Sequence, residues 1–171
     1  MLKLTQPATS RWIEIGRLGV RIKIRPLTTA IMSAARGEAA KRIALAWREQ
    51  KDRGAAGFGV EDTAASLDNP TWRDGLARQY FAAALLRYAG EAWEGVGDAD
   101  GNPLPLDSVA AEKFAELDEA AGPFIEAALA PLDALAAEGN VSAPSSPGAG
   151  DGDATTALDA GMAAAPNAPL N

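Results

Sequence analysis

Two short segments near the N-terminus, joined by a glycine-bounded turn, constrain the fold of this chain most strongly. In the second, Val20-Arg-Ile-Lys-Ile-Arg25, apolar and basic residues alternate, which places the three apolar side chains on one face of a strand. The first is Arg11-Trp-Ile-Glu-Ile15, and the intervening Gly16-Arg-Leu-Gly19 supplies two residues that tolerate positive φ. The pattern predicts an antiparallel β-hairpin with one buried face, ended by Pro26.

A helix is predicted after this hairpin, capped by Thr28 or Thr29. We expect it to end at Gly54, where a linker interpreted as a flexible loop runs to about Asp68. Apolar residues recur every four positions along the helix and form one stripe, which consists of Ile31, Ala35, Ala39, Ile43 and Trp47.

A second helix is predicted from Asn69-Pro70, a cap residue followed by proline at the first helical position, to about Ala92. It has the densest aromatic content of the chain, so we expect the centre of the core between Trp72 and Trp93. The glycine- and aspartate-rich residues 97–103 predict the turn of a second short hairpin. Prolines confine its second strand to a sheet edge.

The remaining helices are predicted from caps and breakers. Asp107 or Ser108 caps a third helix over about 108–121, and Gly122-Pro123 interrupts it. A last helix runs from Phe124 to about Ala137. It contains Pro131, which is expected to kink or split it.

Composition limits the size of the core. Hydrophobic residues make up 47% of the 171 residues, but 39 of them are alanine, which buries little surface. Alanine, proline, glycine and serine dominate the chain after about residue 140, which is typical of disorder. We therefore predict an α+β fold: a mainly α-helical small domain over 1–139 with two short β-hairpins, followed by a disordered tail over 140–171.

The residue types present argue against most enzyme classes. The chain has no cysteine and no histidine, which removes thiolate chemistry and the commonest general base and metal ligand. Asp98-Ala-Asp-Gly-Asn102 allows a calcium-loop interpretation, but its spacing fits a hairpin turn better. The sequence also lacks an apolar run long enough to span a membrane. We expect no catalytic residue, cofactor, metal or membrane partner.

Charge is segregated along the chain. Residues 1–53 carry a net charge of +8 and residues 54–171 a net charge of −15, giving −7 overall. Such asymmetry is typical of nucleic-acid-binding arms and of chains whose ends attract each other or neighbouring copies, so self-association stays open. One alternative function is therefore a nucleic-acid-binding regulator that uses Arg21, Lys23 and Arg25. Against it, the basic residues alternate with apolar ones and lack interleaved stacking aromatics.

Two segments resemble one protein family. The stretch from Trp12 to Thr28, with its glycine turn, basic strand and Arg-Pro-Leu-Thr end, resembles the N-terminal hairpin of phage tail assembly chaperones. The stretch from Trp93 to Leu106 resembles the Trp-Glu-Gly-Val hairpin, with its acidic turn and prolines, that follows the longest helix in the same proteins. Ile31 and Met32 stand where those proteins often carry an acidic residue that closes a capping box.

The resemblance implies a non-enzymatic function. These chaperones of long-tailed phages and gene transfer agents coat the tape-measure protein, keep its helices soluble and help recruit tail-tube subunits. They act in the host cytoplasm and are expected to be absent from the mature particle. A head–tail connector or other structural protein retained in the particle is the remaining alternative. We expect the stripe of the first helix, with Trp47, to contact the partner helix.

Overall fold

The computed structural model describes residues 9–58 and 64–139, which form a three-stranded antiparallel sheet and four helices. This confirms the predicted α+β class with a helical majority. The predicted disordered tail, 140–171, lies outside the described residues. In chain order the elements are β1 Arg11–Ile15, β2 Val20–Ile24, α1 Thr29–Ala55, α2 Pro70–Ala89, β3 Gly90–Glu94, α3 Ser108–Glu116 and α4 Asp118–Gly139.

The first hairpin is present as predicted. Strands β1 and β2 pair in register, with Ile13 opposite Ile22, and these isoleucines are buried. Both turn glycines, Gly16 and Gly19, adopt positive φ, at 50° and 66°. The alternation of β2 therefore separates a buried apolar face from a basic face, as expected for a half-buried strand.

The second predicted hairpin takes a shorter form. Helix α2 ends at Ala89 rather than near Ala92, and residues 90–94 pair with β2 as the third strand. The turn that follows closes with a single bridge between Gly97 and Pro103. Gly90 makes the abrupt change from helix to strand possible, because a Cβ there would lie 2.5 Å from the backbone oxygen of Leu86. Residues 90–92 therefore form hydrogen bonds with β2 as a strand and do not continue α2.

Helices α1 and α2 lie antiparallel and begin at predicted caps. The Thr28 side chain accepts a hydrogen bond from the Ile31 amide at 3.3 Å, and Asn69 accepts one from Thr71 at 3.0 Å. Helix α1 continues through Gly54 to Ala55, one residue past the predicted break. Both caps follow from local sequence, as capping residues satisfy the first free amides of a helix.

The C-terminal end of the predicted flexible loop is anchored. Gln50 of α1 accepts a hydrogen bond from the Leu67 amide at 2.8 Å and donates to Ser66 Oγ and Asp68 Oδ2, each at 3.1 Å. Leu67 and Ser66 are buried. Residues 66–68 therefore form turns, as predicted for a loop, but side-chain hydrogen bonds from α1 anchor them, which was not expected of a flexible segment. Residues 59–63 lie outside the described part of the chain.

The predicted boundary between the last two helices is wrong. The break falls at Leu117, whose backbone is extended, and α4 runs unbroken through Gly122-Pro123 and past Pro131. Pro123 is the sixth residue of α4, and its missing N–H removes one intrahelical hydrogen bond. Gly122 leaves room for Arg78 of α2, because a Cβ there would meet its guanidinium at 3.0 Å. Burial of Phe124 on this face favours the continuous helix.

The core is formed by the sheet, the C-terminal half of α2, and residues of α3 and α4, and it is not centred on Trp72. Trp72 is 46% exposed, and Trp93 is half-buried against Phe114 with ring centroids 5.9 Å apart. About half of the buried apolar residues are alanine, so helices pack closely around a few large groups. The largest fully buried side chains are Ile15, Ile22, Ile24, Leu85, Leu86 and Phe124.

One polar contact joins the sheet to α4. Arg11 Nη2 donates to the carbonyl oxygens of Ala127 and Ala128, each at 2.9 Å. In a regular helix the amide of residue 131 would bond to the Ala127 carbonyl, but Pro131 has no N–H. The arginine therefore supplies the donor that the proline removes.

Candidate helix-binding groove

An apolar groove of about 640 Å³ runs between α1 and α2. Alanines make up four of its ten lining residues, and Ile43, Trp47 and Phe81 supply large apolar side chains from α1 and α2. Leu129 of α4 closes it from a third side. The lining residues are Arg36, Ala39, Ala40, Ile43, Ala44, Trp47, Arg73, Ala77, Phe81 and Leu129.

The structure divides the stripe predicted on α1 between core and groove. Ala35 is fully buried and packs in the core, and half-buried Ile31 packs against it. The C-terminal members Ala39, Ile43 and Trp47 line the groove. One stripe at four-residue spacing therefore contacts two environments, because the first turns of α1 pack in the core and the later turns line the groove.

The sequence does not predict the side of the groove that α2 and α4 contribute. Arg73, Ala77 and Phe81 come from α2, where the spacing of four residues marks one helical face. Phe81 packs against the core, as expected, and also lines the groove, whereas the sequence assigns no role to Arg73 or to Leu129. The four-residue spacing is a local signal, but the antiparallel pairing that brings this face beside Trp47 is a tertiary feature.

Cationic groups surround the aromatic end of the groove. The Lys51 ammonium and the Arg73 guanidinium each lie 5.7 Å from the centroid of Trp47. Contacts at this distance are attractive, since the ring face carries partial negative charge. They hold the indole at the edge of the groove, where it is half-buried.

The basic face of β2 is largely paired with acidic residues of β3. Arg21 forms an ion pair with Glu94, and Lys23 Nζ lies 3.5 Å from Glu91. A hydrogen bond from Ser10, together with Lys23, lowers the pKa of Glu91. Two of the three residues assigned to nucleic-acid binding, Arg21 and Lys23, are thus engaged within the sheet, which weakens that alternative. The same pairs give Glu91 and Glu94 a structural function.

The acidic turn at 98–102 is held together by its own hydrogen bonds. Asp98 accepts from the amides of Asp100 at 2.9 Å and Asn102 at 2.8 Å, and from the Asn102 side chain at 3.1 Å. These bonds, the side-chain bond first, lower the pKa of Asp98. The carboxylate therefore organises the turn, and residues 9–58 and 64–139 contain no cluster of three potential metal ligands.

A titratable contact also joins α1 to α2. Tyr88 donates to Glu38 Oε2 at 2.8 Å, and Arg87 forms an ion pair with the same carboxylate. The hydrogen bond and the charge of Glu38 raise the pKa of Tyr88. Glu38 of α1 thus holds two side chains of α2, and these contacts tie the two helices together near the groove.

Across the described ranges, none of the helices combines the length and hydropathy required to cross a bilayer. Comparison of the chain with protein-family models, with curated proteins and with solved structures finds no match.

Proposed function

We propose that this protein is a non-enzymatic tail assembly chaperone that binds a helix of the tape-measure protein in the α1–α2 groove. The groove is the observation that carries the proposal, and the resemblance of the two hairpin segments supplies the partner. In this proposal the chaperone keeps tape-measure helices soluble and helps recruit tail-tube subunits. It works in the host cytoplasm and leaves before the particle is complete.

The shape of the groove supports the binding of a helix. Small side chains at Ala40, Ala44 and Ala77 allow a partner backbone to approach closely, as small residues do at helix–helix contacts. Trp47 and Phe81 provide the larger apolar contacts that dominate binding free energy at interfaces. With few large groups, the site favours modest affinity, which a chaperone that must dissociate requires.

Co-expression with the tape-measure protein tests this proposal. Trp47→Glu places a charge in the groove, so the soluble fraction of the tape-measure protein should fall to the level seen without chaperone. Trp12→Glu is the matched control, because Trp12 is exposed on β1 and outside the groove. Unchanged solubilisation by the Trp47 variant would refute the assignment of the site.

A second pair of variants avoids changing a half-buried aromatic residue. Ala44 is exposed and lines the groove, so Ala44→Gln should fill it without disturbing the core. Leu45→Gln introduces the same side chain at the next position, where the residue is 62% exposed and outside the groove. We expect loss of solubilisation only for Ala44→Gln. Mass spectrometry of purified particles separates a chaperone, which is absent, from a connector, which is retained.

A further inference from the structure

Two arginines, Arg36 and Arg73, are the basic residues that line the groove. Neither forms an ion pair with a carboxylate of the described residues. Carboxylates do pair with five other basic residues of the described part, which are Arg21, Lys23, Arg42, Arg78 and Arg87. In a chain with a net charge of −7, the groove is thus lined by two arginines without a carboxylate partner among the described residues, and the Lys51 ammonium adds positive charge at its Trp47 end.

The two arginines lie toward opposite ends of the groove. Arg73 packs on Trp47, and Trp47 follows Arg36 by eleven positions on the same helix. At a rise of 1.5 Å per residue, this separation is about 16 Å, or about three helical turns. The groove therefore presents an apolar surface between two positive charges.

We infer that the occupant is an amphipathic helix whose apolar face has a carboxylate at each end. The two carboxylates lie roughly eleven residues apart along the helix. This inference rests on the proposed function and adds the chemical class of the partner segment. An α-helix lying along the groove has the same rise per residue as α1, so carboxylates at this spacing reach both guanidinium groups. Apolar side chains at every third or fourth position between them contact Ile43, Trp47 and Phe81.

A designed peptide tests the charge spacing directly. The probe is a fluorescein-labelled, helix-stabilised peptide of about sixteen residues, with an apolar face and glutamates at the required spacing. A matched peptide carries lysines at the same two positions. Fluorescence anisotropy at low salt should show about tenfold tighter binding of the glutamate peptide, and high salt should reduce the difference. Equal affinities for the two peptides would overturn the inference.

Charge reversal in the protein provides the complementary test. The double variant Arg36→Glu/Arg73→Glu should prefer the lysine peptide. Arg48→Glu makes the same kind of charge change on α1 at an exposed position outside the groove, so it should retain the preference for glutamate. Circular dichroism verifies that each variant is folded. A double variant that keeps the original preference would overturn the inference.

The outcomes separate this inference from the proposed function. If Trp47→Glu abolishes binding of both peptides while their affinities for the unmodified protein are equal, the groove remains a helix site and only the charge rule fails. If neither peptide binds and Trp47→Glu leaves tape-measure solubilisation intact, both proposals fail. Sedimentation of the protein alone tests a second copy as occupant. Self-association that Trp47→Glu abolishes, without peptide binding, would also overturn the inference.

Discussion

Replacing Arg11 with alanine isolates the contact that joins β1 to α4. Arg11 donates to the carbonyls of Ala127 and Ala128, the first of which has no helical donor because residue 131 is proline. Removing the guanidinium leaves a partly buried carbonyl without its replacement donor. Hydrogen bonds from a charged group contribute about 1.5–3 kcal/mol, so we expect Arg11→Ala to lower the free energy of unfolding by about 2 kcal/mol.

The physical reason for this loss is tested in a second background. Pro131→Ala restores an amide that can bond to the Ala127 carbonyl, and it should stabilise the protein by relieving the helix of an interior proline. In this background Arg11→Ala should cost about 1 kcal/mol less than in the original chain, because the carbonyl keeps a partner. The difference is the coupling free energy of the double-mutant cycle.

Urea unfolding followed by far-UV circular dichroism measures all four proteins of the cycle. Arg17→Ala, in the exposed turn between β1 and β2, is the control and should change stability by less than about 0.5 kcal/mol. Equal costs of Arg11→Ala in the two backgrounds would refute the reasoning. In that case the arginine contributes through general packing against α4 and not through the carbonyl that proline leaves free.

Four further predictions follow from the fold. Gly95→Ala should cost at least about 2 kcal/mol in denaturant unfolding, since φ is +81° and a Cβ would lie 2.5 Å from a backbone oxygen. Gly37→Ala, in open space on α1, should stabilise by about 0.5–1 kcal/mol, and the opposite order of these effects would contradict the structure. Phe124→Ala should cost about 3–5 kcal/mol, because the ring is fully buried, and a loss below about 1 kcal/mol would place it outside the core. In an NMR pH titration, Asp98 should titrate below the ordinary aspartate range, because Asn102 and nearby amides stabilise its charged form. Its stabilising effect should thus be present above the ordinary aspartate pKa and lost as pH falls through the lowered value, and an ordinary or raised midpoint would contradict the turn geometry.

The sequence predicts correctly one buried strand face and the starts of two helices, because each depends on interactions between residues close in the chain. The alternation of β2 predicts its buried face, and the caps at Thr28 and Asn69 mark the starts of α1 and α2. Each of these features is decided within a few residues by side-chain periodicity or by a free amide. They are therefore accessible without knowledge of the tertiary fold.

The features that sequence reasoning missed depend on contacts between distant segments. Gly122-Pro123 is a helix-breaking pair by local criteria, but burial of Phe124 and the close approach of Arg78 keep α4 continuous. Residues 90–92 leave α2 because β2 offers a strand partner. For the candidate site, the α1 stripe predicts one wall only, since the other wall depends on how α2 lies against it.

The alanine-rich core also sets the response of this protein to temperature. The heat capacity of unfolding rises with the apolar surface newly exposed to water, by about 0.45 cal/mol/K per Å². A core in which about half of the buried apolar residues are alanine, with a single methyl group as side chain, exposes less such surface than a leucine-rich core of equal length. The curve of unfolding free energy against temperature is therefore flatter, with smaller losses on both cooling and moderate warming around the temperature of maximum stability.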